Sequence, residues 1–213
     1  MSETRPRLML FSPRIEDAES FVAPLRDALS AGDVASVVVE IAGADARVIV
    51  NALKLLAPIV QSKGAALLVA DHPESVARGG ADGVHMSDPA MLQTALDLVK
   101  SKDRIVGVGG LKLRDDAMTA AEKGVDYVLF GERRPNGSFP PLASVIERAS
   151  WWAEIFEMPC VAFAPDFDAI DDLAATGAEF VAFGEPAWTH EAGPASAVKA
   201  VLQRLAQGHG MMA

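Results

Sequence analysis

The feature that most constrains this chain is a rhythm. Eight short apolar runs, at residues 8–11, 34–41, 65–70, 83–86, 104–108, 126–130, 160–164 and 179–183, alternate with amphipathic segments. Most runs are apolar almost throughout, as parallel strands covered on both faces must be. Between them, residues 15–31 place Ile15, Phe21, Val22, Leu25 and Leu29 on one side of a helix, and Gly32 follows as a stop. Residues 44–63 place Val48, Leu53, Leu56 and Val60 similarly, with Pro58 expected to kink the segment or end its regular part. Residues 73–79 read as a short turn or helix. Residues 89–101, 114–123, 141–157, 167–176 and 194–207 read as helices, with Pro89 and Pro194 suited to first turns and Gly124 and Gly177 to ends. This order predicts an α/β fold, a (β/α)8 TIM barrel spanning residues 1–213 as one domain. A doubly wound open sheet is the alternative.

An internal repeat supports the barrel. Glu122-Lys-Gly-Val-Asp-Tyr-Val-Leu-Phe-Gly-Glu132 resembles Ala175-Thr-Gly-Ala-Glu-Phe-Val-Ala-Phe-Gly-Glu185, and Arg78-Gly-Gly-Ala-Asp-Gly-Val-His85 is a weaker copy. Each is a helix end, a Gly, an acidic residue and a strand, and each precedes an even-numbered strand.

Composition narrows the partners. With 19 basic and 29 acidic residues the net charge is −10, which argues against nucleic acid and is awkward for an anionic metabolite. No apolar stretch reaches the roughly 18 residues of a membrane span. Residues 1–5 lead straight into a strand with no leader-like stretch, so a cytoplasmic location is expected. The single Cys160 excludes an internal disulfide framework and reads as a small core residue. Trp151 and Trp152 are expected outside the barrel or at a dimer contact, a homodimer being the default oligomer. No dinucleotide fingerprint, Walker loop or zinc-helix motif is present, and residues 107–110 are too short a Gly signal.

In a barrel the chemistry lies at the C-terminal strand ends. Those ends deliver Ser12 and Arg14, Glu40, Asp71 and His72, His85, Ser87 and Asp88, Gly109, Gly110 and Lys112, Glu132, Arg133 and Arg134, Asp166 and Asp168, and Glu185 with Trp188 and His190 beyond. So many carboxylates cannot face one dry cavity uncompensated. They hold a hard cation such as Mg2+, or pair with Arg14, Lys112, Arg133 and Arg134, or act as caps, as Asp88 before Pro89 and Asp166 suggest. His85, between Asp82 and Asp88, is either a ligand-positioning or proton-transferring group or a satisfied buried imidazole. His190 and His209 are expected in solvent, and Met211 and Met212 in a frayed tail.

Residues 65–71 and 81–85, Ala-Ala-Leu-Leu-Val-Ala-Asp and Ala-Asp-Gly-Val-His, resemble the thiamine-phosphate synthase family and its thiazole-tautomerase relatives. Residues 105–108, 124–128, 159–162 and 177–179 extend the resemblance along nearly the whole chain. It implies a barrel that joins a pyrimidine pyrophosphate to a thiazole phosphate with Mg2+, by departure of pyrophosphate and attack of the thiazole nitrogen on the pyrimidine cation. It implies Asp71 as a metal ligand, with Asp88 standing two residues early for the second, whose place is Ala90. The departures fall on the same chemistry. Glu40 replaces a basic, glutamine-containing strand end, Ala70 an Asn, and Gly109 a Ser. Residues 132–138 lack the Thr-x-Thr-Lys of the pyrophosphate loop, leaving Arg133 and Arg134 as replacements. Ala164-Pro165-Asp166 replaces a Gly-Gly phosphate cradle, and Glu185 a Ser at the same phosphate. Proline has no N–H to give. At ~4 Å and an effective dielectric of ~20, each misplaced charge costs about 4 kcal/mol against an anion.

Three functions remain open from sequence. The first is a thiamine-phosphate synthase-like protein whose ordinary synthase activity is weak or absent, with His85 catalytic, Asp71 and Asp88 on Mg2+, and Glu40, Gly109, Arg133, Arg134, Asp166 and Glu185 around a small-molecule ligand. The second is a non-catalytic paralogue for ligand sensing or protein contact. The third is a metal-assisted enzyme on another small molecule, using the acidic rim of Asp71, Asp88, Glu132 and Glu185.

Overall fold

All eight apolar runs are strands in the computed structural model, which describes residues 5–43, 45–100 and 103–207. They are β1 (Arg7–Ile15), β2 (Val34–Ile41), β3 (Ala66–Ala70), β4 (Gly83–Met86), β5 (Ile105–Val108), β6 (Tyr127–Phe130), β7 (Cys160–Ala164) and β8 (Phe180–Phe183). Every neighbouring pair is parallel, and β8 closes on β1 through Arg7↔Phe180 to Leu10↔Phe183. The order β1 to β8 without a skip is the closed barrel, not the open sheet.

The connecting helices are α1 (Ala18–Ser30), α2 (Ala46–Gln61), α3 (Val76–Gly79), α4 (Leu92–Val99), α5 (Arg114–Glu122), α6 (Leu142–Ile155), α7 (Ile170–Ala174), α8 (Glu185–Trp188) and α9 (Pro194–Gln207). The four-residue α8 has no counterpart among the amphipathic segments of the sequence. Pro58 ends nothing: α2 runs past it to Gln61. Short 3-10 turns, Pro73–Ser75 and Pro89–Met91, open the segments of α3 and α4. Asp17, Asp45 and Asp88 cap the starts of their segments by accepting backbone N–H bonds.

Two cores follow from strand alternation. One face packs outward on the helices, for example Leu8, Leu10, Val37, Val39, Phe130 and Phe183 with Trp152 of α6. The other fills the barrel with Met9, Val38, Leu68, Tyr127, Leu129, Val161, Phe163 and Ala182. Trp152 is wholly buried, so only half-buried Trp151 touches the outside.

The repeated acidic residue has a structural task. Asp82, before β4, accepts the Leu67 N–H of β3 at 2.7 Å. Asp126, before β6, accepts Val106 of β5 at 2.8 Å. Glu179, before β8, accepts Cys160 of β7 at 2.9 Å. Each acid ties an even strand to the start of the odd strand before it, satisfying an amide at the barrel's lower end.

Candidate functional site

The upper barrel mouth is built around His85. Its side chain points inward from β4 and is fully buried. Gly107 faces it from β5, and a Cβ there would lie 1.9 Å from the Tyr127 ring. Glycine therefore lets Tyr127 lie across the barrel, where its hydroxyl sits 2.9 Å from His85 Nδ1. On the other side, Glu132 Oε1 lies 3.2 Å from His85 Nε2 and accepts the Ser87 hydroxyl at 2.8 Å. Burial raises the Glu132 pKa, but the His85 charge and bonds from His85 and Ser87, with the nearby Gly110 amide, outweigh it and hold the carboxyl below its usual value. An ionised carboxylate requires His85 Nε2 to donate. In the neutral ring Nδ1 then accepts from Tyr127. Burial, then the charges of Glu132 and Asp126, push the Tyr127 hydroxyl well above its ordinary pKa, so it stays protonated.

Gly109 completes the arrangement. A Cβ at 109 would stand 1.9 Å from Glu132 Oε2 and 3.1 Å from His85 Nε2. The absent side chain is the space that the carboxylate fills. Oε2 itself is buried and meets no donor in hydrogen-bonding geometry among the described residues. Aromatic rings line the same mouth: Phe11 stands edge-on to His85 at 5.2 Å and to Phe163 at 5.3 Å, and Phe139 stacks on Phe163 at 5.7 Å. Buried Arg148 holds the β5 loop by donating to the Leu111 carbonyl at 2.7 Å.

The other expected residues lie on the rim, and most are not brought together. Asp71 and Asp88 are exposed and share a cavity of about 240 Å3 with Glu74 and Thr94. Asp71 has the left-handed φ of 58° and accepts the Ser87 N–H at 2.7 Å, which pins it beside β4. Exposed Glu40 receives no side-chain bond among the described residues; its N–H donates to Ser12 Oγ at 3.0 Å. Arg133 pairs loosely with Glu185 at 3.7 Å, and Arg14 with Glu16 at 3.6 Å. Arg134 and Lys112 are exposed and make no ion pair among the described residues. Asp166 accepts the Ala169 N–H at 3.1 Å, as a cap does. Glu185 is the first residue of α8, whose Trp188 ties it to the Phe11 carbonyl at 2.7 Å. An acid thus stands at the start of the short helix after β8, where barrels of this kind often bind phosphate.

Several expectations need correction. Asp82 does not flank His85 in space; it lies at the opposite end of β4, bonded to Leu67 and Gln61. His190 is half-buried against Phe167 at 5.6 Å rather than free in solvent. His209, Met211 and Met212 lie outside the described residues. The acidic rim does not converge: no group of three or more metal-ligating side chains gathers among the described residues. The larger cavity, about 750 Å3, lies between α1 and α2, away from the mouth, and holds no group of catalytic type beyond surface charges.

Comparison with known proteins agrees with this architecture. The sequence pattern of the family described as thiamine monophosphate synthase matches residues 8–186. The chain is similar to a thiamine-phosphate synthase of Rhodospirillum centenum, at 38% identity over 90% of this chain and 94% of that one. It is 34% identical to a thiamine-phosphate synthase of Hyphomonas neptunium, over 93% of this chain and 94% of that one. Among solved structures, a thiamine phosphate pyrophosphorylase from Pyrococcus furiosus superposes with a TM-score of 0.79 at 20% identity, covering 97% of this chain and 98% of that one. A 3-hexulose-6-phosphate synthase from Salmonella typhimurium gives 0.72 at 17% identity, over 94% and 99% of the two chains, a likeness of fold. The matched span and the two relatives, over a closed eight-stranded barrel, lead to one conclusion: the chain belongs to the thiamine monophosphate synthase family.

Proposed function

We propose that this barrel handles a thiamine-type ring ligand with phosphate and pyrophosphate subsites so altered that ordinary thiamine-phosphate synthesis is weak or absent. The observation that carries the reading is the placement of three carboxylates. Glu132 fills the mouth against His85, Glu185 opens α8, and Asp166 follows a proline in the turn after β7. A phosphate held there would need N–H donors or cations. Pro165 gives no N–H, Asp166 already takes the Ala169 amide, and the Ala187 N–H is spent on the Gly184 carbonyl. Exposure screens Asp166 and Glu185, so each repels an anion by nearer ~1 than ~4 kcal/mol. Two such charges weaken phosphate binding roughly 30-fold, beyond the loss of the two occupied amides, and Arg133 is already engaged with Glu185.

Asp71 and Asp88 fit Mg2+. Each keeps one carboxylate oxygen after its amide bond, they line one cavity, and Mg2+ needs only one or two protein carboxylates. When bound, the ion supplies electrostatic stabilisation to an anionic group of a ligand. His85 is held by Tyr127 and Glu132 in one orientation, and its buried ring positions rather than samples. The membership of this chain in a transferase family makes bond formation between two rings the reaction to test. Purified protein is assayed with the pyrimidine pyrophosphate, the thiazole phosphate and Mg2+. The expected kcat/KM lies below ~10³ M⁻¹s⁻¹, under the usual enzyme range. Turnover near ~1 s⁻¹ with an ordinary kcat/KM overturns the proposal.

A further inference from the structure

We infer that the groove between α1 and α2 is a second binding site, for an elongated small molecule that carries one carboxylate on an apolar body. The groove lies away from the barrel mouth and stands independently of the proposed function. Its cavity of about 750 Å3 falls within the range of small-ligand pockets. The lining runs from Glu19 to Leu29 along α1, about 15 Å, which sets the elongated shape. Half-buried Val22, Leu55 and Ile59 form an apolar floor. Covering that floor releases water from apolar surface, which drives binding of an apolar body.

Charge selects the sign of the ligand. The chain has a net charge of −10, yet this groove carries three cations, Arg26, Lys54 and Lys63, against one acid. None of the three makes an ion pair among the described residues. The acids of α1 do not neutralise them. Glu19 stands about two turns above Arg26, roughly 10 Å along the helix. Asp27 faces α9 instead, where its carboxylate accepts the Ala195 N–H at 3.0 Å. Arg26 and Lys54 each stand eight residues into their helices, and α1 and α2 run in the same direction, so the two cations flank the groove at similar depth. They can hold a carboxylate by charge-assisted bonds. The walls are helix flanks, whose N–H groups are used within the helices, so the groove lacks the backbone donors that hold a phosphate. An amphipathic cation would gain the floor and meet the wrong charge.

Calorimetry at low salt with decanoate and with decyltrimethylammonium tests the inference, and backbone amide shifts in NMR spectra locate the ligand. Decanoate is expected to bind the wild-type protein with a Kd below about 1 mM, to shift amides of α1 and α2, and to bind more weakly as salt rises. Decyltrimethylammonium is expected to bind about 10-fold more weakly, a modest ratio because the cations are exposed. In Arg26→Glu/Lys54→Glu the preference should reverse, a change of sign that lost stability cannot produce. Arg26→Gln/Lys54→Gln, expected to abolish the preference, covers a charge-reversed variant that folds poorly. No binding to wild type, no preference, a preference unchanged in the variants, or amide shifts confined to the barrel mouth each overturn the inference. So does binding of a leucine- and glutamate-rich helical peptide in this groove where decanoate fails, which would make the occupant a partner helix.

Discussion

Replacing Gly109 by Ala puts one methyl group where the Glu132 carboxylate lies. The new Cβ would be 1.9 Å from Oε2 and 3.1 Å from His85 Nε2, far inside contact distance. The φ of Gly109 is not in the left-handed region, so the backbone itself accepts alanine. Glu132 must therefore swing out and give up its bonds to His85 and Ser87. Two charge-assisted bonds contribute about 3–6 kcal/mol net of rehydration of the freed carboxylate, and the long 3.2 Å contact with His85 places the pair at the lower end. A net loss of about 3 kcal/mol follows, or roughly 6–12 °C in Tm for a chain of this length. Urea unfolding and thermal scans of Gly109→Ala, Glu132→Ala and the double variant measure it. With the carboxylate gone, the alanine at 109 should cost under about 1 kcal/mol, giving a coupling of about 2 kcal/mol. Equal costs in the two backgrounds, or a Tm shift below about 2 °C, would refute the packing argument.

Other outcomes follow from the same contacts. The Glu132 carboxyl titrates below the ordinary 4.5 when folded, so its stabilisation is complete above that value and is lost as pH falls through the folded pKa. In urea unfolding, wild type should lose stability relative to Glu132→Gln only below about pH 4.5; a relative gain on acidification contradicts this. Burial, then the Glu179 charge, push the Cys160 thiol up to about 12, so a disulfide reagent at pH 8 should label it only after denaturation. Rapid native labelling would show that β7 opens. Trp188→Phe removes the bond to the Phe11 carbonyl while keeping the contact with Phe21, and should cost about 1 kcal/mol in urea unfolding. No change would mean that α8 is held by packing alone.

Strand positions were legible because the runs are apolar on both faces, and this dictates parallel strands between helices and core. Boundaries moved little, except that β1 extends to Ile15 through Ser12-Pro13-Arg14, a polar stretch that no apolar pattern marks. The acidic repeat was visible, but its task needs pairing between strands that no single copy contains. The inner site was the harder part. Tyr127 and Leu129 point into the barrel, so alternation would send residue 131 inward and Glu132 outward. Gly131, at φ 98°, breaks the alternation and turns Glu132 toward His85. That reversal, and the reach of Tyr127 over 42 positions to His85, leave no trace in local sequence. Asp82 misled for the opposite reason. Three residues along a strand span roughly 10 Å, so a neighbour in sequence sits at the other end of the barrel.

The proposed function requires that the loops after β7 and β8 hold no phosphate. A crystal of the protein soaked with the thiazole phosphate tests it most directly. No ordered phosphate is expected at residues 164–166 and 184–185, with the Glu185–Arg133 pair and the Asp166 cap unchanged. A fully occupied phosphate bound by the backbone there, with Glu185 turned away, would contradict it.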